Sequence, residues 1–438
     1  MFRRTQKVLV AFSGGPDSLA TLLLLRELGR DGGFSVTACH FDHQLRPESS
    51  ADMERAREMC AGLDLECVTG EGDVRGVALQ MKRGIEEMAR EMRYQFLAFV
   101  AEKEGADCIA TGHTADDQAE TILMRIVRGS GIRGIRGMLP VSTVPGSNAQ
   151  RLIRPLLETP RVTTQAICAE WGIAPLEDAS NTDVSFRRNR VRHETMGSLA
   201  VINPSIADAL IGLGRSAREA FEPIEKQSFE VQPLERGPIG AIFHSTALAR
   251  LGGEALGLVI EREASFYHLR PETNRTRIEN LLRVVATGHG SVAFGDVAVE
   301  ASCGKVRLGP HLEAAVPIPA TILNVPGDTR AGPWVARIRT EPLEGDASSP
   351  VVAFDSETIL GVLKLRSLDL GDRIRFRGVN RKVSDLLVNE KVPSWERSGM
   401  VVVSDGEGVL ALIGATTTFV RDTPTPDLWL KLASIPQR

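Results

Sequence analysis

Apolar residues follow two alternating rhythms over roughly the first 130 positions. Short runs rich in β-branched residues, KVLVAF from Lys7, SVTACHFD from Ser35, LECVTG from Leu65 and DCIATGH from Asp107, read as buried strands. Between them, LATLLLLREL, SADMERAREMCAGL, IEEMAREMRYQFLAFVAEKEG and TADDQAETILMRIVRG space their apolar residues three and four apart, as one helix face does. Strand and helix in alternation predict an α/β fold with a doubly wound parallel sheet, whose ligands collect beyond the carboxyl ends of the strands.

A glycine- and arginine-rich stretch, GSGIRGIRGMLP, comes next, then strand-like RLIRPLL and the helical patterns RVTTQAICAEWG and RRNRVRHETMGSL. From about Pro204 to Gly288 the pattern predicts mainly helix, including TNRTRIENLLRVVATG. Beyond Ser291 strand-like runs dominate, EPLEGDASSP reads as a linker, and LRSLDLGDRIRFRG opens a small α+β unit. Three domains are expected: 1–203, a mainly helical but mixed 204–345, and 350–438. A length of 438 residues agrees with two or three.

Composition is ordinary for a globular protein, 42% hydrophobic and 25% charged, but the net charge is −4. The chain as a whole is therefore no glove for nucleic acid, and any polyanion site must be local. No apolar run approaches the roughly 18 residues of a membrane span. The start, MFRRTQKVLVAF, lacks the pattern of a secretory signal. Six cysteines without a C-x-x-C pair read as buried free thiols of a cytoplasmic protein.

Chemistry first shows in SGGPDS, between the first strand and the first helix. Gly14 and Gly15 let the backbone approach an anion. The free N–H groups opening the helix point at it, Pro16 suits the first turn, and Ser13 and Ser18 add hydroxyls. Asp17 stands in the same turn. Neither G-x-x-x-x-G-K-[ST] nor G-x-G-x-x-G is present. The loop resembles SGG-x-[DS]-S of the N-type ATP pyrophosphatases (the PP-loop superfamily), which bind ATP and release pyrophosphate while adenylating a substrate.

Other candidates fall at strand ends and helix starts. Asp42 and His43 end the second strand. In TGHTADDQAET, Thr114 and Asp117 have the spacing of a capping box, while His113, Asp117, Glu120 and Thr121 share one helix face. Between Arg125 and Thr195 lie eleven arginines, no lysine and six acidic residues. Arginine without lysine favours bidentate phosphate contacts, and a folded RNA is a natural partner.

The motifs SGGPDS, HFDHQLR, AREMRYQFL, TGHTADDQAET, RGSGIRG, IRPLL, DASNTD and RRNRVRH resemble, in order, those of the tRNA(Ile)-lysidine synthases. GDRIRFRG, RKVSDLLVNEKVPSWERSGMVVVSD and LIG are similar to that family's last domain. One departure is TMGSLAVINP, where the family usually continues with a Leu/Pro-rich helix. The resemblance implies a ligase that adenylates the C2 oxygen of the wobble cytidine in a CAU-anticodon tRNA(Ile). Free L-lysine then displaces AMP to give lysidine, which switches the tRNA from methionine to isoleucine. Other PP-loop tRNA-modifying enzymes, or a non-catalytic tRNA-binding factor, are the alternatives.

On this reading Ser13, Gly14, Gly15, Pro16, Asp17 and Ser18 bind ATP, and Asp17 and Asp117 hold Mg²⁺. His113 contacts the transferring phosphate. With a pKa of about 10.4, only about 1 in 2,500 lysine ε-amines is neutral at pH 7, a penalty of roughly 4.6 kcal/mol. A carboxylate is therefore expected to deprotonate it: Asp42, with His43 as alternative. Arg93, Glu120, Arg128, Arg133, Arg154, Arg188 and Arg192 are the expected substrate and tRNA contacts. The C-terminal unit, eight basic against five acidic residues from Arg366 to Arg397, is expected to bind the tRNA body. No membrane partner is expected, and a homodimer is left open.

Overall fold

The strand and helix alternation appears as read: β1 (Lys7–Ala11), α1 (Pro16–Gly32), β2 (Ser35–Asp42), α2 (Ser49–Gly62), β3 (Cys67–Glu71), α3 (Val74–Met81), α4 (Ile85–Lys103), β4 (Cys108–Thr111) and α5 (Ala115–Val127). Only α3 is new. It spans eight residues, too short for periodicity to register, and starts where Asp73 accepts from the Gly76 N–H at 2.8 Å. The computed structural model describes residues 6–46, 48–147, 150–176, 187–346, 349–414, 417–421, 423 and 425–434.

The same unit, Met1–Glu222, continues with α6 (Ile132–Ile135), β5 (Val141–Thr143), β6 (Arg151–Ile153) and α7 (Arg161–Glu170). Next, α8 (Arg187–Arg190) passes through a π-helical turn (Val191–Thr195) into α9 (Met196–Ile202), and α10 (Ile206–Glu230) begins. Sheet order is β3-β2-β1-β4-β6-β5, parallel throughout except the edge strand β5. The doubly wound parallel sheet is thus present. β1 pairs with β2 on one side and β4 on the other, so the winding reverses there and a crevice opens beyond their carboxyl ends.

Alternation along β1 sends Val8 and Val10 to one face of the sheet, against α1, α2 and α7, and Leu9 to the other, against α4. In α1, Leu19, Leu22 and Leu23 are fully buried, each stabilising the fold by about 2–3 kcal/mol. At TMGSLAVINP, Met196 packs beside Ala119 and Ile122 of α5 and Leu210 of α10. Cys39, Cys60, Cys108 and Cys168 are buried free thiols, and Cys67 and Cys303 are partly buried.

The second unit, Pro223–Arg438, opens with β7 (Glu235–Gly237), β8 (Gly240–His244) and α11 (Ser245–Leu248), then α12 (Gly253–Phe266) and α13 (Arg275–Thr287). β9 (Gly290–Phe294), β10 (Val297–Ser302) and β11 (Lys305–Pro310) complete an antiparallel sheet ordered β7-β8-β11-β10-β9. The β7–β8 hairpin lies inside the stretch whose pattern predicts helix. GAIFH is a five-residue apolar run that periodicity alone assigns to neither state.

Beyond it come β12 (Thr321–Ile322), β13 (Gly327–Ala331), β14 (Trp334–Arg339), β15 (Val351–Phe354), β16 (Lys364–Ser367), β17 (Arg373–Phe376) and β18 (Val379–Lys382). After α14 (Val383–Asn389) and α15 (Ser394–Arg397), β19 (Val401–Ser404), β20 (Val409–Ile413), β21 (Thr418–Val420) and β22 (Leu428–Ser434) follow. They make two sheets, one ordered β12-β16-β19-β20-β17-β18 with β21 on β20, the other β13-β14-β22-β15. One core, containing Leu323, Ile338, Val352, Leu365, Val403 and Leu430, draws on both sheets, and a second, with Ile374, Val402, Val409 and Leu412, packs the first of them against α14. Among the described residues, no single helix is long and apolar enough to cross a membrane.

At the crevice, Gly112 lies directly on the start of α1. A Cβ there would stand 2.6 Å from the Asp17 carbonyl oxygen and 2.8 Å from the Ser18 nitrogen. Both are backbone atoms, so the strand end or the loop must shift. Gly112→Ala is expected to cost about 1–3 kcal/mol in urea unfolding. An unchanged midpoint would show that this contact does not constrain the loop.

Candidate active site

The turn after β1 is shaped by its own residues. Gly14 takes φ +82°, which L side chains rarely adopt, and its Cβ position is filled by Leu176. Gly15, extended at φ −71°, caps α1, with Pro16 at its first turn. The Ser18 hydroxyl accepts from the Ser13 N–H at 3.2 Å and donates to the Gly15 carbonyl at 2.9 Å, tying both ends of the loop together. The opening N–H groups of α1 have no partner within the helix and line an anion cradle.

Asp17 projects from that turn toward α5 and α7. Its Oδ1 accepts from the Thr164 hydroxyl at 2.6 Å and its Oδ2 from Arg161 Nε at 3.1 Å. The same guanidinium reaches Asp117 Oδ1 through Nη2 at 3.1 Å. Asp117 Oδ2 closes the capping box expected at the start of α5, accepting from the Thr114 N–H and hydroxyl at 2.9 and 3.0 Å.

Two more arginines complete this cluster. Arg188 gives Nη2 to Asp117 at 2.9 Å and Nε to Glu120 at 3.1 Å. Arg192 does the same at 3.0 and 2.7 Å. Burial alone would raise the Asp117 pKa, but Arg188, Arg161 and the Thr114 N–H outweigh it and hold the carboxyl below its ordinary value. Three guanidiniums thus face Asp17, Asp117 and Glu120 in balanced charge.

A cleft of about 850 Å³ opens above the loop, lined by Ser13, Gly15, Pro16, Asp17, Ser18, Asp42, His43, Arg93, His113, Asp117 and Arg192 among others. Asp42 is 2% exposed; Oδ1 accepts from the Gln44 N–H at 2.8 Å, while Oδ2 is buried with no hydrogen-bond partner. A buried carboxylate oxygen left open is a site for a cationic donor. The His43 ring meets Phe41 edge-on at 5.0 Å. His113 Nδ1 lies 2.8 Å from the Thr111 hydroxyl.

The remaining candidates divide by position. Glu120 and Arg188 join the cluster at the cleft wall. Arg154, 7% exposed, donates Nη1 to the Leu139 carbonyl at 2.6 Å and to Ser142 Oγ at 3.1 Å. Arg128 is exposed at the far end of α5, about 16 Å along the axis from Asp117, and Arg133 sits in α6. Neither lines the cleft. DASNTD lies outside the described residues. Arg161, Thr164 and Gly112 were not singled out from the sequence. Their only signals are an arginine just after Pro160 at the start of α7, its neighbouring threonine, and the glycine of ATGH.

A PP-loop domain model matches residues 2–199. The tRNA(Ile)-lysidine synthase of Novosphingobium aromaticivorans is 40% identical over 337 residues, covering 75% of this chain and 87% of that protein. That of Symbiobacterium thermophilum is 32% identical over 448 aligned positions, covering 94% of this chain and 90% of that protein. Among solved structures, the U34-tRNA thiolase NcsA from Methanococcus maripaludis is similar at 18% identity and a TM-score of 0.42, over 49% of this chain and 73% of that one.

His113 carries a pH signature. Burial lowers its pKa to about 3; Asp117 opposes this, and Arg154, Arg93 and Arg188 add to it. The imidazole is therefore neutral at pH 7. The unfolded chain takes up this proton near pH 6.5 and the folded chain only near 3, so stability falls as pH drops through that window. His113→Gln is expected to flatten that decline, measured by urea unfolding between pH 6.5 and 4. A slope equal to the parent's would mean that His113 titrates normally.

Proposed function

The chain belongs to the tRNA(Ile)-lysidine synthase family, and from that premise we propose that it performs the ATP-dependent joining of free L-lysine to the wobble cytidine of tRNA(Ile). The observation that carries this reading is one cleft holding both a phosphate loop and a buried, open carboxylate oxygen on Asp42. Adenylation needs the first, and activation of an ammonium nucleophile needs the second.

ATP lies with its phosphates on the N–H groups of Gly14, Gly15, Asp17 and Ser18. The cytidine C2 oxygen attacks the α-phosphorus and pyrophosphate leaves, its charge met by donors already in place. Asp17 and Asp117, which share the Arg161 guanidinium, are the pair that would hold Mg²⁺ in its place, and such an ion would neutralise departing pyrophosphate. Neutral His113 contributes a hydrogen bond at the transferring phosphate and moves no proton. Asp42, with His43 beside it, receives the lysine ammonium and takes its proton. The amine then attacks C2 and AMP leaves.

Glu120, Arg188 and Arg192 order the wall beside the nucleotide being modified, and Arg93, Arg128, Arg133 and Arg154 contact the tRNA. The second unit supplies affinity for the tRNA body. Its edge hairpin β17–β18 exposes Arg373, Arg375 and Lys382, and such phosphate contacts position an RNA without reading its sequence.

Asp17→Asn is expected to lower ATP–pyrophosphate exchange in the presence of tRNA on the order of 100-fold. Affinity for tRNA should stay close to the parent's. Parent-like exchange would remove Asp17 from the triphosphate site, and absence of exchange in the parent would favour a non-catalytic tRNA-binding factor.

Asp42→Asn should instead adenylate normally and accumulate adenylated tRNA under saturating lysine, followed with labelled ATP. Loss of adenylation in a folded Asp42→Asn protein would move this carboxylate to the ATP site.

A further inference from the structure

A second group of arginines stands on the opposite face of the sheet from α1, and its charge is not balanced. At its centre is Tyr94 of α4, buried on the face to which Leu9 points. Its ring carries Arg90 at 5.0 Å and Arg93 at 5.6 Å, and its buried hydroxyl lies near enough to Arg93 and Arg154 to interact with both. Arg154 follows β6; its Nη1 is used on a carbonyl and a hydroxyl, while Nε is buried with no partner. Arg125 spends Nη1 on the carbonyls of Gly134 and Gly137, at 2.7 and 2.6 Å.

The partners named are all neutral, an aromatic ring for Arg90 and Arg93 and oxygens for Arg125 and Arg154. Among the described residues, none of these four guanidiniums has a carboxylate within the 4.0 Å that defines an ion pair. Arg161, Arg188 and Arg192, by contrast, are all paired with acids. Burial holds Arg93, Arg125 and Arg154 below the ordinary arginine value; Tyr94 opposes this at Arg93 and Arg154, and neighbouring arginines lower each of the three further. Buried cations without counter-charge are costly, and an arriving anion removes that cost. Arg93 lines the cleft, and both it and Arg154 are near enough to His113 to act on its charge.

We propose that Arg93 and Arg154, flanked by Arg90 and Arg125 around Tyr94, form a second anion site, taking a backbone phosphate of the RNA strand that presents the wobble nucleotide. The site is distinct from the triphosphate loop. That loop opens α1, which packs on the other face of the sheet and has its own donors. Guanidinium forks suit a phosphodiester, which offers two oxygens side by side. A phosphate gripped here fixes the cytidine's register in the cleft without reading its base. The proposal rests on tRNA being the substrate.

The test uses the full chain. Binding of tRNA without ATP is measured across a salt series, and binding of a non-hydrolysable ATP analogue is measured separately. Arg93→Gln is expected to weaken tRNA binding about 10-fold and to reduce the slope of log K against log salt by about one. Affinity for the analogue should stay within about twofold of the parent's. Arg93→Lys should keep the salt slope and lose part of the affinity, because it retains the charge without the fork. Arg90→Gln, at an exposed position, should show the same pattern more weakly and serves if the Arg93 variants do not fold. Weakened analogue binding with an unchanged tRNA slope would assign the arginines to the triphosphate. No change in either would make them structural, and both results overturn the proposal. A parent protein that fails to bind tRNA overturns the functional reading, and this proposal with it.

Discussion

Arg161 bonds to Asp17 with one nitrogen and to Asp117 with another, and the site depends on that bridge. Each carboxylate opens a different helix, and the two helices follow neighbouring strands of the sheet. Two negative charges about 4 Å apart repel by about 4 kcal/mol at the effective dielectric of a protein site. A shared guanidinium turns that repulsion into two ion pairs and sets the separation of the helix starts. Thr164, three residues further along α7, holds the other oxygen of Asp17, so a single helix orients this side chain from both sides.

Charge balance separates the groups that already have a partner of opposite sign from those that have none. Arg161, Arg188 and Arg192 are matched by Asp17, Asp117 and Glu120, and together they stiffen the cleft wall. Asp42 and the Tyr94-centred arginines are left with unmet demands of opposite sign. In the function and the anion site proposed above, an ammonium satisfies the first and a phosphate the second. A substrate carrying both requirements into one cleft completes electrostatics that the protein leaves open, which is how buried polar groups become binding groups rather than defects.

In the second unit two buried charges, Glu263 and Arg307, are already paired. Glu263, with 0% exposure, accepts from Arg236 and Arg262, and buried Arg307 bonds to Glu300 and to backbone carbonyls. These pairs hold the antiparallel sheet and its helices in register. Cationic residues at the β17–β18 edge instead face solvent, where long-range attraction of a polyanion needs no pocket.

Local chemistry made the first unit legible from the sequence. An apolar strand, two glycines, a proline and a leucine-rich helix can form little other than a phosphate turn, because glycine at positive φ and proline at a first turn are set by sterics within a few residues. The capping box of Thr114 and Asp117 was readable for the same reason. Short elements were not: α3 and the β7–β8 hairpin are shorter than the window in which a period declares itself. Nor could the sequence sort its arginines. Arg161, more than a hundred residues from Asp17, carries the central bridge, while Arg93 and Arg154 carry none. An ion pair is decided by which side chains the sheet brings within 4 Å, and that distance belongs to the tertiary structure alone.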